Sequence, residues 1–361
     1  MFTLQRMKAG SRRDLIALFN LGKAVKRMKK WEGYVHGVDI GGWLSQCDHT
    51  IETYENFITE KDFETIKSWG LDHVRIPVDY EVAEDHTEYI DRAVAWCEKY
   101  GLNMILDIHK TRGFSFDSGE GEEGFFESEK YQESFYELWE KLAKAYGNMG
   151  ERLSFELLNE VTDKEYCEPW NRISLECVKR IRKIAPSVKI VIGGYYNNSI
   201  EAVKDLAMPY DENIVYTFHC YEPLVFTHQG AHWAPGMDTS FRMSLDATYA
   251  EMEKLSKEQL SQVTVGFDGF DGNDRLSAAF FDKHFSEVVK IGEERNVPIY
   301  CGEYGVIDLA SSKEALRWYS FISESFNKYG IGRAAWNYKQ KDFGLVDEHM
   351  KDVLPELVKY L

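Results

Sequence analysis

Short apolar segments and longer amphipathic segments alternate along the 361-residue chain. Each apolar segment has the length of a buried strand, and apolar residues recur with helical spacing in the stretch that follows it. The predicted strands are residues 34–40, 73–77, 103–109, 153–159, 189–194, 213–219, 297–302 and 331–336. The predicted helices between them are residues 61–70, 88–101, 128–147, 169–185, 199–207, 277–295 and 312–329.

Repeated strand–helix units predict parallel strands, because each helix returns the chain to the edge where the next strand begins. Eight strands are the number that closes a (β/α)8 barrel, the TIM barrel, and the length suits such a barrel with insertions. The alternative is an open, doubly wound sheet. It is disfavoured because no GxGxxG or GxxxxGK phosphate-binding pattern follows the first strand. We therefore predict a single α/β domain, a TIM barrel.

Two regions stand outside this alternation. Residues 222–275 follow the sixth strand, and because long loops in compact domains are usually functional, we predict an inserted subdomain that walls one side of a cleft. Residues 1–33 form a predicted basic extension, in which residues 1–30 hold nine Lys or Arg against one acidic residue. We expect a solvated or docked amphipathic segment there and assign residues 34–361 to the barrel.

Polar and aromatic side chains cluster where the predicted strands end. They are Asp39, Arg75, His109, Asn159, Glu160, His219, Tyr221, Glu303 and Trp336. Core packing does not require such residues, and the C-terminal strand ends of a barrel face the active site. Glu160 and Glu303 end separate strands, which is the simplest way to place two carboxylates across one cleft. Because glycoside hydrolysis needs paired carboxylates, we predict that these two glutamates are the catalytic pair.

Composition narrows the class of partner. The net charge of −17 argues against a nucleic acid as the partner. The 14% aromatic content suits a groove that stacks on sugar rings, although most aromatic residues must serve the core. The six cysteines are scattered without a CxxC pair, so we expect reduced thiols and no structural zinc.

The sequence also bears on membranes and location. No stretch approaches the roughly 18 apolar residues of a membrane span, so we expect no membrane partner. The apolar stretch 15–21 is short, interrupted by Asn20 and followed by lysines. A secretory signal needs a cleaner apolar core and a small-residue cleavage site, so we expect a cytoplasmic protein or one released without such a signal.

Several separated motifs carry a family resemblance. Besides the strand-end residues, they are GVDIGGWLSQ, FITEKDFETI, DHVRIPVDY, SFELLNEV, HQGAHW, YCGEYGV and AAWNYKQKDF, in this order. With them, the chain resembles family 5 of the clan A glycoside hydrolases, and within it the cellulases of the endoglucanase C type. The resemblance extends over roughly residues 34–361.

The resemblance implies a retaining mechanism with two glutamates. Glu160 would be the general acid that protonates the leaving oxygen and then the base that activates water. Glu303 would be the nucleophile that forms a glycosyl-enzyme intermediate, with the carboxyl groups about 5–5.5 Å apart. We expect no metal or organic cofactor, because the two carboxylates supply the acid, the base and the nucleophile.

The resemblance also assigns roles to the residues around the pair. Arg75 would pair with Glu303 and keep it ionised, Tyr221 would donate a hydrogen bond to the same carboxylate, and His219 would help to set protonation.

Other residues would contact the sugar. Asn159 would bind the sugar 2-OH, His109 would bind another hydroxyl, and Trp336 would form a platform under the ring. Trp43 and Trp233 are further candidates for stacking on flanking sugars, with simple packing the equal alternative for each.

Two positions depart from the family pattern. The endoglucanase C type has a histidine pair after the third strand where this chain has His109 and Lys110, and Asp39 stands where asparagine is usual. Both departures are expected to alter sugar contacts or the pH profile without touching the catalytic pair.

The predicted activity is therefore a retaining endo-β-1,4-glucanase acting on cellulose-like and mixed-linkage β-glucans. One alternative is another family 5 specificity, a β-1,3-glucanase, xyloglucanase or mannanase, since only the walls of the cleft would differ. A barrel that binds glycans without cutting them is a second alternative, which the presence of both glutamates disfavours. A phosphate- or nucleotide-using barrel enzyme is a third, which the missing glycine-rich loop disfavours.

Overall fold

Eight parallel strands close into a barrel in sequence order. The structure is a computed structural model and describes residues 27–117, 122–261 and 266–361. The strands are β1 (His36–Asp39), β2 (His73–Asp79), β3 (Asn103–Lys110), β4 (Leu153–Glu156), β5 (Lys189–Ile192), β6 (Ile214–His219), β7 (Ile299–Glu303) and β8 (Gly332–Ala335). Because β1 also pairs with β8, with Gly37 opposite Ala334, the sheet has no edge. The predicted TIM barrel is confirmed.

The helices form the outer layer. They are α1 (Ile51–Asn56), α2 (Glu60–Ser68), α3 (Tyr80–Asp85), α4 (Thr87–Tyr100), α5 (Glu129–Tyr146), α6 (Cys167–Ile184), α7 (Leu224–Thr227), α8 (Tyr249–Gln259), α9 (Ala278–Arg295), α10 (Ser312–Tyr329) and α11 (Leu354–Leu357). Short 3-10 helices cover Gly150–Arg152, Lys164–Tyr166, Ile200–Asp205, Glu348–Met350 and Val358–Tyr360. Helix α5 is typical: it buries Phe135, Trp139 and Leu142 on one face. None of the described helices has the length and apolarity needed to cross a bilayer.

Aromatic residues fill the barrel at the end where the strands begin, which we call the floor. It consists of Trp31, Tyr34, Ile105, Val191, Val215, Tyr300 and Ala334. Trp31 stacks on Tyr34 at 4.1 Å and meets the edge of Tyr300 at 5.2 Å between ring centroids. Trp31 belongs to the stretch predicted as an extension, so contacts with the barrel begin upstream of residue 34. The remainder of that prediction, residues 1–26, lies outside the described residues.

The predicted insertion 222–275 contains α7 and α8. Thr248 and Glu251 form a capping box that starts α8. Tyr249 at its first turn packs against Phe267 and Phe280, with ring centroids 5.3 and 6.1 Å away, which joins the insertion to α9. Within this segment, residues 262–265 lie outside the described part of the chain.

Strand register shapes the C-terminal end of the barrel, which we call the mouth. A shift in register after Phe218 places His219 of β6 directly opposite Glu303 of β7. Strand β2 continues to Asp79, beyond its predicted end, so Arg75 lies inside the strand rather than at its tip. The predicted helix 199–207 is the 3-10 helix Ile200–Asp205, which follows directly on the turn Tyr195–Asn198.

Candidate active site

Glu160 and Glu303 approach each other at the mouth. Glu303 is the last residue of β7, whereas Glu160 follows β4 after a short extended stretch. One carboxylate oxygen of each glutamate and a ring nitrogen of His219 all lie within 4.8 Å of one another. The structure thus brings together the two glutamates that the sequence predicts as a pair, one following β4 and one ending β7, with His219 of β6 between them.

Glu160 is held in an unusual backbone conformation and a dry environment. Its φ is +45°, in the left-handed region that few residues other than glycine adopt. The ring Nδ1 of His219 lies 2.7 Å from Oε1, and the amide of Asn197 donates to Oε2 at 3.0 Å. Burial raises the pKa of Glu160 to about 7, outweighing the Asn197 hydrogen bond that lowers it. Such a carboxyl holds a proton in mildly acidic solution and can donate it.

His219 is a neutral donor between the two glutamates. Burial lowers the pKa of His219 to about 4. Its Nδ1 faces oxygens of Glu160 at 2.7 Å and Glu303 at 3.6 Å, and its Nε2 lies 3.3 Å from the side-chain nitrogen of Asn198. Because Asn198 donates to Nε2, the ring proton sits on Nδ1, where it points at the carboxylates.

Two donors fix the carboxylate of Glu303. Arg75 Nη1 donates to Oε1 and the Tyr221 hydroxyl donates to Oε2, each at 2.8 Å. Burial raises the pKa of Tyr221 well above its usual value, so the phenol keeps its proton and donates it. One oxygen is therefore tied to a charged group and the other to a neutral one.

Arg75 is the common partner of four buried carboxyl groups. It contacts Asp39 at 3.1 Å, Asp107 at 3.1 Å, Glu156 at 2.7 Å and Glu303 at 2.8 Å. One positive charge cannot balance four negative ones, and protons make up part of the difference. Burial raises the pKa of Asp107 to about 7 and the pKa of Asp39 well above its usual range.

A hydrogen-bonded chain orients Asn159. Its oxygen accepts from Arg75 Nη2 at 2.9 Å, and its nitrogen lies 3.4 Å from His109 Nε2. His109 Nδ1 lies 2.6 Å from Asp107, and burial lowers the pKa of His109, so the ring is neutral. The chain fixes which end of the Asn159 amide donates.

Trp336 lies just past the C-terminal end of β8, at the mouth of the barrel. Its ring is parallel to that of His109, with centroids 5.9 Å apart. A Cβ at Gly41 would come within 2.5 Å of the indole, so only glycine leaves room for the ring there. The structure thus brings Trp336, His109, Asn159, His219, Tyr221 and Arg75 to one site with the two glutamates.

The insertion adds an exposed tryptophan. Trp233 is 46% exposed, and its indole nitrogen donates to Asp342 at 2.9 Å. Its ring meets the edge of His228 at 5.0 Å, and His228 in turn meets Tyr221 at 5.1 Å. This contact chain connects the insertion to the hydroxyl group that binds Glu303.

Trp43 does not contribute to the cleft, and its prediction as a stacking residue is wrong. It is fully buried, its indole nitrogen donates to the carbonyl of Tyr54 at 2.9 Å, and its ring stacks on Trp96 at 5.8 Å. A tryptophan after the first strand of a barrel serves packing equally well, and here the ring is buried in the core against Trp96.

Both departures from the family pattern are buried. Lys110 lies 3.1 Å from Glu81 and 4.0 Å from Asp79, so its charge is directed at the β2 side of the mouth. Asp39 lies against Arg75, and its second oxygen has no hydrogen-bond partner among the described residues.

Four side chains that contact the residues of this site were not predicted from the sequence: Asp107, Glu156, Asn197 and Asn198. Asp107 and Glu156 interrupt apolar strands, and a buried acid needs a partner, which is a signal that the sequence offered. Asn197 and Asn198 lie in a turn and gave no signal.

Two clusters in the described residues have metal-ligand chemistry. One is the group of Glu160, His219 and Glu303, and the other consists of His49, Asp79 and Glu81. In the second, the ammonium of Lys110 already contacts Glu81 and approaches Asp79.

Comparison with known proteins agrees with this geometry. The family model for cellulase, glycosyl hydrolase family 5, matches residues 37–342. Cellodextrinase A of Ruminococcus flavefaciens is 43% identical over 85% of this chain and 86% of its own length. Endoglucanase C of Acetivibrio thermocellus is 38% identical over 90% of this chain and 97% of its own.

A solved structure gives the same result. Endoglucanase Cel5A of the hyperthermophile Thermotoga maritima superposes with a TM-score of 0.71 at 25% identity, covering 92% of this chain and 99% of that one. The family resemblance seen in the sequence motifs is therefore confirmed. The chain belongs to the cellulases of glycosyl hydrolase family 5 and is a glycoside hydrolase.

Proposed function

We propose that this chain is a retaining endo-β-1,4-glucanase in which Glu160 is the acid and base and Glu303 is the nucleophile. The observation that carries the proposal is the approach of the two carboxylates, whose nearest oxygens lie within 4.8 Å. Retaining enzymes hold their carboxyl groups about 5–5.5 Å apart, whereas inverting enzymes need roughly 6.5–9.5 Å to admit a water between them.

In the first step, a Glu303 oxygen attacks the anomeric carbon while Glu160 gives its proton to the glycosidic oxygen. The carbon–oxygen bond to the leaving sugar breaks, and a glycosyl ester forms on Glu303. The raised pKa of Glu160 provides that proton near neutral pH. Arg75 and Tyr221 hold the two oxygens of Glu303, so the nucleophile meets the sugar in one orientation.

In the second step, Glu160 is a carboxylate and takes a proton from water, whose oxygen attacks the anomeric carbon and releases Glu303. Between the steps Glu160 is negatively charged, and the N–H group at Nδ1 of His219, which lies 2.7 Å from Oε1, donates a hydrogen bond to it. The neutral ring stabilises this charge without supplying a second proton, which suits a group that must alternate between acid and base.

The substrate class rests on the relatives. Their names, cellodextrinase and endoglucanase, point to β-1,4-glucan chains and their soluble fragments. Solved structures of Thermotoga maritima Cel5A include complexes with cellobiose and with mannotriose at 25% identity, so mannan must be tested beside glucan. Trp233, at the exposed edge of the insertion, is the side chain we assign to stacking on a flanking sugar.

The test is hydrolysis of carboxymethylcellulose, barley mixed-linkage glucan, laminarin, xyloglucan and mannan by wild type and Glu303→Ala. We expect the wild type to release reducing sugar from the first two substrates, and the viscosity of their solutions to fall before much reducing sugar appears. The rate of hydrolysis by Glu303→Ala should be at least about 10⁴-fold lower. Proton NMR of the first product should show the β-anomer. Cleavage of laminarin or mannan alone would be consistent with the proposed mechanism but would refute β-1,4-glucan as the substrate. An α-anomer as the first product would refute the retaining mechanism.

A further inference from the structure

The turn Tyr195–Asn198 has a backbone that few sequences adopt. Tyr196, Asn197 and Asn198 have φ values of +50°, +54° and +56°, three consecutive residues in the left-handed region. Asparagine tolerates this region because its side chain is short and polar, whereas for Tyr196 the conformation is unfavourable and must be held by the surrounding structure. Gly193 makes room for the turn, since a Cβ there would lie 2.1 Å from the Asn198 oxygen.

The turn is bound to the residues that follow Glu160. The backbone N–H of Tyr196 donates to the Thr162 carbonyl at 3.1 Å, and that of Asn197 donates to the Val161 carbonyl at 3.0 Å. Since Glu160 is itself left-handed, two strained segments lie against each other. Strain that persists at one place in a fold marks a constraint that the surrounding structure enforces.

The turn contacts the carboxyl group of Glu160 directly through one amide and indirectly, by way of His219, through another. Asn197 donates to Glu160 Oε2 at 3.0 Å, and Asn198 holds His219, which donates to Oε1. The final torsion of a glutamate side chain is broad and soft. With one donor on each oxygen, the carboxyl plane of Glu160 cannot rotate without breaking a hydrogen bond.

We propose that Asn197 is a positioning residue for the acid and base: its amide holds Oε2 so that Glu160 meets the glycosidic oxygen from one fixed direction. This inference rests on the proposed function of the same site. In the proton transfer, Glu160 loses one proton to the leaving oxygen as the glycosidic bond breaks, and Asn197 gains and loses none.

The Asn197 amide also favours the charged form of Glu160, because it donates to it. The titratable and charged groups that face Glu160 are Arg75 on β2, Asp107, His109 and Asp117 on β3 and its loop, His219 and Tyr221 on and after β6, and Glu303 on β7. With these unchanged, loss of the amide raises the pKa of Glu160. The decline of kcat/KM at high pH, which we call the high-pH limb, should then begin at a higher pH.

The test is Asn197→Gly, which removes the amide and suits the left-handed backbone. Asn296→Gly is the matched control: Asn296 is likewise exposed and left-handed, with φ +57°, but caps α9 on the floor side of the barrel. The substrates are aryl β-cellobiosides with phenyl, 4-nitrophenyl and 2,4-dinitrophenyl leaving groups. The last leaves without protonation and so needs no acid.

We expect Asn197→Gly to lower kcat/KM about tenfold for phenyl cellobioside and less than about twofold for the dinitrophenyl compound, with the high-pH limb raised. Asn296→Gly should behave as wild type. An equal loss on all three glycosides, or a limb that does not move, would overturn the positioning role.

A second variant keeps the shape of the side chain. Asn197→Asp replaces the donor with an acceptor beside Glu160, so we expect a larger upward shift of the high-pH limb than in Asn197→Gly. A limb at the wild-type position would contradict the inference. If the wild type itself releases no phenol from any of these cellobiosides, the proposed function fails and the inference fails with it.

Discussion

The floor and the mouth of the barrel are built on opposite principles. The floor is a set of aromatic and aliphatic side chains in which Trp31 stacks on Tyr34 and meets Tyr300. The mouth buries four carboxyl groups around Arg75, and in the described residues Asp39 and Asp107 each keep an oxygen without a hydrogen-bond partner. The floor gains stability from burial, whereas the mouth loses some of it to desolvation.

Mutations at the two ends of the barrel should therefore have different effects. Changes on the floor should lower stability and leave the chemistry of the folded enzyme alone. Replacing a catalytic carboxyl at the mouth by its amide should abolish chemistry at little cost in stability, because a buried charged group gains little net stability once its desolvation is counted.

The largest expected effect is at the mouth. Glu160→Gln should lower kcat/KM on barley glucan by about 10²–10⁴-fold, the usual contribution of a general acid. The free energy of unfolding should change by only about 1 kcal/mol, because the desolvation that the neutral amide avoids offsets the one hydrogen bond that its NH2 group cannot accept. Reducing-sugar assays and urea denaturation measure the two quantities. A loss of stability above roughly 3 kcal/mol would break the contrast with the floor.

The next effect is on the floor. Trp31→Ala should lower the free energy of unfolding by about 3–5 kcal/mol, the usual cost of deleting a buried tryptophan. Below the melting transition, kcat on barley glucan should stay within about twofold of wild type, because the floor touches no substrate. A large fall in kcat with unchanged stability would show that the two ends are coupled.

The pH profile tests the mouth alone. The pKa of Glu160 is raised to about 7, and only its protonated form can act as the acid. Thus kcat/KM should hold steady up to about pH 7 and then fall about tenfold per unit as the proton is lost. Assays on barley glucan between about pH 5 and pH 9 measure the limb, which Trp31→Phe should not move. A fall that begins near the ordinary glutamate range would refute Glu160 as this acid.

The smallest effect is at the rim of the mouth. Trp233→Ala should raise KM for polymer about fivefold, as loss of roughly 1 kcal/mol of stacking would, with kcat unchanged. Tyr210→Ala is the control, because Tyr210 is 50% exposed but lies outside the barrel wall, near Met208. An equal change of KM in both variants would show that Trp233 does not contact the substrate.

The fold could be predicted from the sequence, because apolar strands alternate with amphipathic helices along the chain. The polar strand ends predicted a site at the mouth, where Glu160 and Glu303 do meet, and the catalytic role of this pair stays a prediction. Trp43 failed because an indole suits the core as well as a sugar groove, and only the position of Trp96 decides between them.

Other residues escaped prediction because their meaning lies in distant partners. Glu156 lies inside a strand and gains its role from Arg75, which is 81 positions away in the chain. Asn197 and Asn198 look like ordinary turn residues, and only the fold brings them to Glu160 and His219. Local pattern cannot specify such contacts, since register and strand order create them.

Gly41 determines how closely the Trp336 indole can approach β1. Its backbone is clasped by Asn337, which accepts from its N–H at 2.9 Å and donates to its carbonyl at 3.3 Å, while the Trp336 indole occupies the space of the missing side chain. Any larger residue at this position would push the Trp336 indole away from β1. The missing side chain of Gly41 therefore sets where the surface lies that we predict to support the sugar ring.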